Sequence, residues 1–158
     1  MKRKSLMPKL ILLFVLVISL TSCGEKAFFS ESYKFPSKQW TQRMKPKFVV
    51  NFTDTTQLYN FVLTLRTTTD YKFSNLWIFL NTTPPVGNTV REPYEIKTTF
   101  PDGSWIGKKS GSVVEHQLVF KRRKLPFKGK YTFQIEQGIT DKSIDEVLDI
   151  TFTVEKVE

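Results

Sequence analysis

Cys23 and His116 are the only cysteine and the only histidine among 158 residues, and together they bound the chemistry open to this chain. A disulfide needs two thiols, so no bridge within the chain staples the fold. Zinc and iron–sulfur sites need several cysteines or histidines, and one of each cannot assemble them. His116 lies between Glu115 and Gln117 at the start of an alternating segment. A base at that position would need a serine or carboxylate within hydrogen-bond reach. No Gly-x-Ser-x-Gly turn frames a serine for it, so an ordinary surface or half-buried role is expected for His116. Glycine loops for phosphate are lacking, and Asp141, Asp145 and Glu146 are poorly placed for calcium. The sequence therefore predicts a protein that is not an enzyme, with no cofactor, no metal and no small-molecule substrate.

The surroundings of Cys23 give its thiol a different use. Lys2, Arg3, Lys4 and Lys9 precede an apolar run from Leu10 to Leu20. Charge followed by such a run is the pattern of an export signal. A permanent span takes roughly 20 apolar residues, so this run is too short for one. A buried core helix, the alternative, needs no basic cluster in front. Leu20-Thr-Ser-Cys23 resembles the lipobox of bacterial lipoproteins, with a branched apolar residue three before the cysteine and small residues between. In such proteins the thiol is alkylated by a diacylglycerol and the signal is cut just before the cysteine. The new amino group is then usually acylated. Two or more acyl chains hold firmly to a membrane where one holds marginally. An unmodified thiol near an ordinary cleavage site is the alternative. The expected division is a signal peptide over 1–22, a lipidated N-terminus and tether over 23–34, and one folded domain over 35–158. The tether lacks an acidic run, since Glu25 is followed at once by Lys26. That favours a membrane-anchored envelope lipoprotein facing the periplasm.

The formal charge of +9 shrinks once the signal is removed. Four basic and no acidic residues lie in 1–22, so 24 less 4 leaves 20 basic against 15 acidic, about +5. An exported chain with that balance gives little support to nucleic-acid binding, and anionic lipid headgroups suit it equally. The densest charge is Lys121-Arg-Arg-Lys124. In a strand, alternation would send these side chains to opposite faces, and in a loop all would meet water. The run is either a solvated edge that resists edge-to-edge pairing or a contact for acidic lipid or an acidic partner.

The elements that position these residues read as strands. Segments 47–53, 60–66, 75–81, 94–98, 116–120, 131–136 and 148–154 are rich in β-branched and aromatic residues. Phe48, Val50 and Phe52 share a face, as do Phe61, Leu63 and Leu65, and Tyr131, Phe133 and Ile135. Leu148, Ile150, Phe152 and Val154 are expected on one face too. Segment 75–81 is apolar on both faces, which predicts a central strand covered on both sides, with Trp77 in the core. Pro84-Pro-Val-Gly-Asn88 and Pro101-Asp-Gly103 are turns. Ser143 to Glu146 has the spacing of a capped helical turn. Short strands with turn residues between them, and no helical periodicity, predict an all-β fold, an antiparallel β-sandwich of seven to eight short strands. Trp40 is expected to close one end, and Trp105, beside a turn, to pack down as a corner plug.

Three segments carry a resemblance beyond composition: Leu63-Thr-Leu-Arg-Thr-Thr-Thr-Asp-Tyr-Lys-Phe-Ser-Asn-Leu76, Pro101-Asp-Gly-Ser-Trp-Ile-Gly-Lys-Lys-Ser-Gly111 and Gly129-Lys-Tyr-Thr-Phe-Gln-Ile-Glu-Gln-Gly138. In order and spacing they resemble the gliding-motility lipoprotein GldH family, as do the chain length and the lipobox. The resemblance implies a non-enzymatic envelope lipoprotein needed for gliding and for the linked type IX secretion system, acting beside other motility or secretion lipoproteins. It implies no catalytic residues. The family pattern falls on Arg66, Asp70, Tyr71, Asn75 and Leu76, then on Asp102, Gly103, Trp105, Gly107 and Gly111. These positions are a structural motif or a partner-contact surface. As a structural motif, Arg66 and Asp70 would bracket a loop by pairing charges while Tyr71 and Asn75 bond its backbone. Two other classes stay open. An envelope carbohydrate-binding module would need a solvent-facing ring at Trp77 or Trp105, and an envelope hydrolase would need a partner for His116.

Overall fold

The computed structural model describes residues 27–157. Residues 1–22 and Cys23, on which the export signal and the lipid are expected, lie outside the described residues.

Alternation dictates the layers. A strand with every second residue apolar must bury one face, and each long strand here does so. In chain order the strands are β1 (Phe29–Lys34), β2 (Gln39–Thr41), β3 (Lys47–Phe52), β4 (Leu58–Thr68), β5 (Asn75–Thr83) and β6 (Val90–Lys97). They continue with β7 (Lys108–Ser110), β8 (Val113–Lys124), β9 (Gly129–Gln137), β10 (Ser143–Asp145) and β11 (Val147–Lys156). All pairings are antiparallel. One sheet runs β1-β11-β4-β8-β7, the other β3-β9-β5-β6, and β10 pairs with β2 apart from both. The all-β antiparallel sandwich and the seven expected strands are all present. The short β2, β7 and β10 and the edge strand β1 come in addition.

Between the sheets lies an aromatic interior. The Phe152 ring from β11 meets Phe133 of β9 at 4.7 Å, Phe48 of β3 at 5.6 Å and Phe61 of β4 at 5.9 Å between centroids. Phe52 extends the cluster to Tyr59 at 4.9 Å and Tyr131 at 5.5 Å. Offset and edge-on aromatic pairs of this kind add about 0.5–1.5 kcal/mol each beyond the area they bury.

Several expectations are corrected. Residues 29–34 are not tether but strand β1, hydrogen-bonded to β11, with Phe29 opposite Val154 and Lys34 opposite Asp149. Hydroxyl pairs fix that edge, Ser30 with Thr153 at 3.1 Å and Ser32 with Thr151 at 2.6 Å. An edge strand held by serines has no apolar alternation to announce it. Ser143–Asp145 is a strand and not a helical turn, because Ile144 is buried opposite Trp40 and Glu146 has a left-handed φ of 63°. Trp77 is 45% exposed and not core. Leu76, Ile78 and Leu80 fill the inward face of β5, and no layer covers the outward one, which carries Trp77 and Phe79. Leu148 leaves the inward face because the β11 register shifts between Val147 and Asp149, which sends Val147 in instead. Trp40 is fully buried, stacked on Phe35 at 4.7 Å, and its indole N–H donates to the Met44 carbonyl at 2.8 Å.

Antiparallel pairing gives the sandwich two distinct ends. At one end Phe52 pairs with Gly129, Leu58 with Lys124 and Tyr59 with Lys156. The described chain begins there, with the Phe28 ring against Phe52 at 5.6 Å and Tyr59 at 5.5 Å. At the other end Thr68 pairs with Val113 and Asn75 with Lys97. Phe152→Ala should destabilise the fold by about 3–5 kcal/mol, the loss expected of a fully buried phenylalanine. Urea unfolding reads it, and a loss under about 1 kcal/mol would contradict this core.

Candidate functional site

The positions singled out by family resemblance gather at the end opposite the start of the described chain. Arg66 and Asp70 stand at the close of β4 and just beyond it, Asn75 opens β5, and residues 98–107 fold over the same end before β7. These positions do not pair as expected. Arg66 bonds not Asp70 but Asp149, its cross-strand partner on β11, with Nε donating to Oδ1 at 2.8 Å and the terminal guanidinium nitrogen to Oδ2. The register shift beside Asp149 settles its carboxylate beneath the guanidinium, between β1 and β4. There Asp149 is almost wholly buried. Hydrogen bonding to that carboxylate pushes the Arg66 pKa upward, against the opposing effect of burial. Asp70 is exposed, and its backbone N–H is accepted by the Thr68 hydroxyl at 3.2 Å.

Tyr71 does bond the loop backbone. Its phenol, pushed to higher pKa by burial, donates to the Asn75 carbonyl at 3.1 Å. The Asn75 amide reaches sideways instead, to Glu95 on β6 at 2.7 Å. In the next loop the Asp102 carboxylate accepts from both the backbone N–H and the hydroxyl of Ser104, at 2.9 and 2.6 Å. Those two bonds lower its pKa. Gly103 completes the turn at φ 83°, where a side chain would be strained, and Gly111 sits in the β7–β8 turn. Gly107 is needed for space. A Cβ there would lie 2.2 Å from the Glu115 carbonyl oxygen and 2.7 Å from Nδ1 of His116.

His116 is therefore not a surface residue. It is 1% exposed, points into the sandwich, and lies 5.9 Å from the Trp105 ring, which packs down as expected. Nε2 is 3.2 Å from the Thr67 hydroxyl, and Nδ1 has no partner among the described residues. A proton on Nε2 leaves only a lone pair unpaired at Nδ1, the milder of the two possible losses. Burial lowers the pKa from its ordinary 6.5 to about 4, so the ring is neutral at physiological pH. A Thr–His contact closed to solvent, with no carboxylate orienting the second nitrogen, lacks the geometry of an activated nucleophile. Among the described residues no group of three metal-ligating side chains comes together.

What this end does present is apolar surface. Phe100 is 52% exposed, Ile106 is exposed on the rim of the same depression, and Phe73 is exposed on the adjoining loop. Hydrogen bonds knit their segments together: the Thr98 hydroxyl donates to the Phe73 carbonyl at 2.7 Å, and the Ile106 N–H to the Thr98 carbonyl at 3.0 Å. Phe100 and Ile106 border a depression of about 330 Å³, with Asn75, Glu95 and Lys97 on its polar side. Sequence reading missed these three residues. The available signal was an aromatic or branched residue inside each turn segment, where no strand alternation requires one.

Residues 27–154 match the sequence profile of the family described as GldH lipoprotein. The chain belongs to the GldH lipoprotein family. It is similar to the gliding motility lipoprotein GldH of Flavobacterium johnsoniae, 28% identical over 152 residues that cover 92% of this chain and 94% of that protein. It is likewise similar to the gliding motility lipoprotein GldH homolog of Christiangramia forsetii, 26% identical over 148 residues that cover 89% and 90% of the two chains. No solved structure matches the chain. Membership in a lipoprotein family makes this a membrane-anchored protein of the envelope, and no described helix is long and apolar enough to cross a membrane.

Two measurements test the site. Arg66→Ala should cost about 2–3 kcal/mol, less than a fully buried ion pair because the guanidinium stays partly in water. A double-mutant cycle should find coupling to Asp149 and none to Asp70, and coupling to Asp70 instead would contradict the geometry. For His116 the folded pKa lies below the unfolded one, so the unfolded chain takes the proton first. Stability is full above about pH 6.5 and falls as pH drops towards about 4, by about 3 kcal/mol. The single imidazole gives one NMR titration, and a folded-state midpoint near 6.5 would contradict its burial.

Proposed function

We propose that this protein is lipidated on Cys23 after removal of residues 1–22, faces the periplasm, and serves as a scaffold or assembly component of the gliding apparatus and the linked type IX secretion system. It works by protein contact and not by bond-making. The observation that carries the reading is the apolar surface of Phe100 and Ile106, with Phe73 exposed on the adjoining loop, at the end opposite the start of the described chain. Exposed aromatic and branched side chains beside a polar rim are the composition of a protein contact. Asp102, Gly103, Gly107 and Gly111 hold the loops that carry it. The partner in this reading is another motility or secretion lipoprotein. Confinement of both to one membrane raises their effective concentration, so a small patch suffices.

The glycan-binding alternative has one favourable feature, the exposed ring of Trp77. Beside it, however, the Arg91 guanidinium covers Phe79 at 3.4 Å from the ring centre. One open ring offers little of the extended platform that a sugar chain requires.

Phe100→Ser with Ile106→Ser should lower stability by no more than about 2 kcal/mol, since about half of each side chain is already in water. The same pair should abolish cross-linking to the partner in intact cells and colony spreading. Cys23→Ala should separately release the protein from the membrane fraction. Wild-type cross-links in the double variant would contradict the contact surface.

A further inference from the structure

We infer that the end of the sandwich where the described chain begins is a docking surface for anionic phospholipid headgroups, a basic collar around two apolar loop tips. The inference rests on the lipid anchor at Cys23 proposed above and says what the domain does once anchored.

The path of the chain supplies the first reason. Phe28 is fixed against Phe52 and Tyr59 at this end, and the Lys156 ammonium sits 5.2 Å above its ring. Four residues separate Phe28 from Cys23, and the five steps between them span at most about 17 Å fully extended. Anchored at Cys23, the domain cannot stand far off the bilayer, and this is the end nearest to it.

Charge supplies the second. The run Lys121–Lys124 closes β8 here, Lys128 and Lys130 flank the start of β9, and Lys156 ends β11. Among the described residues these seven share the end with three acidic ones, Asp54, Glu155 and Glu92, the last lining one depression with Arg123 and Lys124. Seven less three leaves an excess of four, most of the net charge of about +5 carried after residue 22, so the rest of the mature chain is close to neutral. None of the seven makes an ion pair among the described residues. Strand β8 runs through Lys124, and the register shift opposite Asn60 breaks its alternation. There Arg122 takes a left-handed φ of 53°, and its N–H is accepted by the Asn60 side chain at 3.0 Å. As a result all four side chains of the run are exposed. Folding therefore concentrates the charge instead of dividing it between faces.

The loop tips supply the third. Val86, in the β5–β6 turn, is 62% exposed, and Phe127, in the β8–β9 turn, is 43% exposed. The turns are neighbours, since a Cβ on Gly129 would lie 2.9 Å from Pro85. Apolar tips within a basic rim suit the boundary between headgroups and acyl chains. Attraction to an anionic surface acts only within about 8–10 Å at ordinary ionic strength, a range that the short connection keeps within reach.

The test uses the mature lipoprotein, reconstituted into vesicles of brominated phosphatidylcholine with or without phosphatidylglycerol, and carrying Phe127→Trp. The native Trp40, Trp77 and Trp105 supply the background. The introduced indole should be quenched at least about twofold more with phosphatidylglycerol than without it, and high salt should remove the difference. Arg123→Glu with Lys124→Glu, both exposed, should bring quenching down to the phosphatidylcholine level while leaving the urea midpoint unchanged. Equal quenching in both vesicle types, no quenching in either, or no effect of charge reversal would each overturn the inference. So would preferential binding of a soluble acidic polypeptide over anionic vesicles, which would make this a protein contact. Acyl mass on the same sample's N-terminus reports the anchor independently, so failure of the anchor is distinguished from failure of the surface.

Discussion

Strand β4 is paired along its length on both sides, with Leu63 opposite Phe152 on β11 and opposite Leu118 on β8. The rest of the molecule takes its position from that register. A slip of one residue would turn Phe61, Leu63 and Leu65 outward and bring Arg66 into the aromatic interior, a cost no other contact could offset. The same register sets Arg66 across from Asp149, Thr67 beside His116, and Leu58 against Lys124.

Because every pairing is antiparallel, each connection falls at one of two ends, and the two ends have diverged. One gathers the start of the described chain, basic side chains without an ion pair among the described residues, and the exposed tips at Val86 and Phe127. The other gathers the family positions and the apolar patch around Phe100. In the function proposed above such a division is useful, since one end would meet the membrane and the other would reach past it. The buried His116 fits the same reading. Its neutral ring, pressed between Gly107, Thr67 and Trp105, braces the loop that carries Ile106 and Phe100.

Much of the fold was legible because it rests on alternation. Phe48, Val50 and Phe52, or Tyr131, Phe133 and Ile135, leave no choice about which face is buried. What escaped notice follows other rules. Strand β1 is held by hydroxyl pairs at a sheet edge, and β10 by a single buried Ile144. Trp77 misleads because hydrophobicity reports a preference for burial and cannot count the layers above a sheet. Arg66 and Asp70, four apart, looked like a loop clasp, but the deciding partner was Asp149, eighty-three residues away. The turn region drew attention through its family resemblance, at Gly103, Trp105, Gly107 and Gly111. The exposure of Phe73, Phe100 and Ile106 at one end was not legible, since their segments meet only when two loops fold together.

The separation of the two ends is the claim on which both surfaces depend, and one distance tests it. Nitroxide labels on Asp102→Cys and Phe127→Cys, in protein whose Cys23 is lipidated or replaced, should lie about 30–40 Å apart by pulsed electron resonance, the length of an eleven- to twelve-residue strand. A distribution centred below about 20 Å would place both loops at one end and contradict the account.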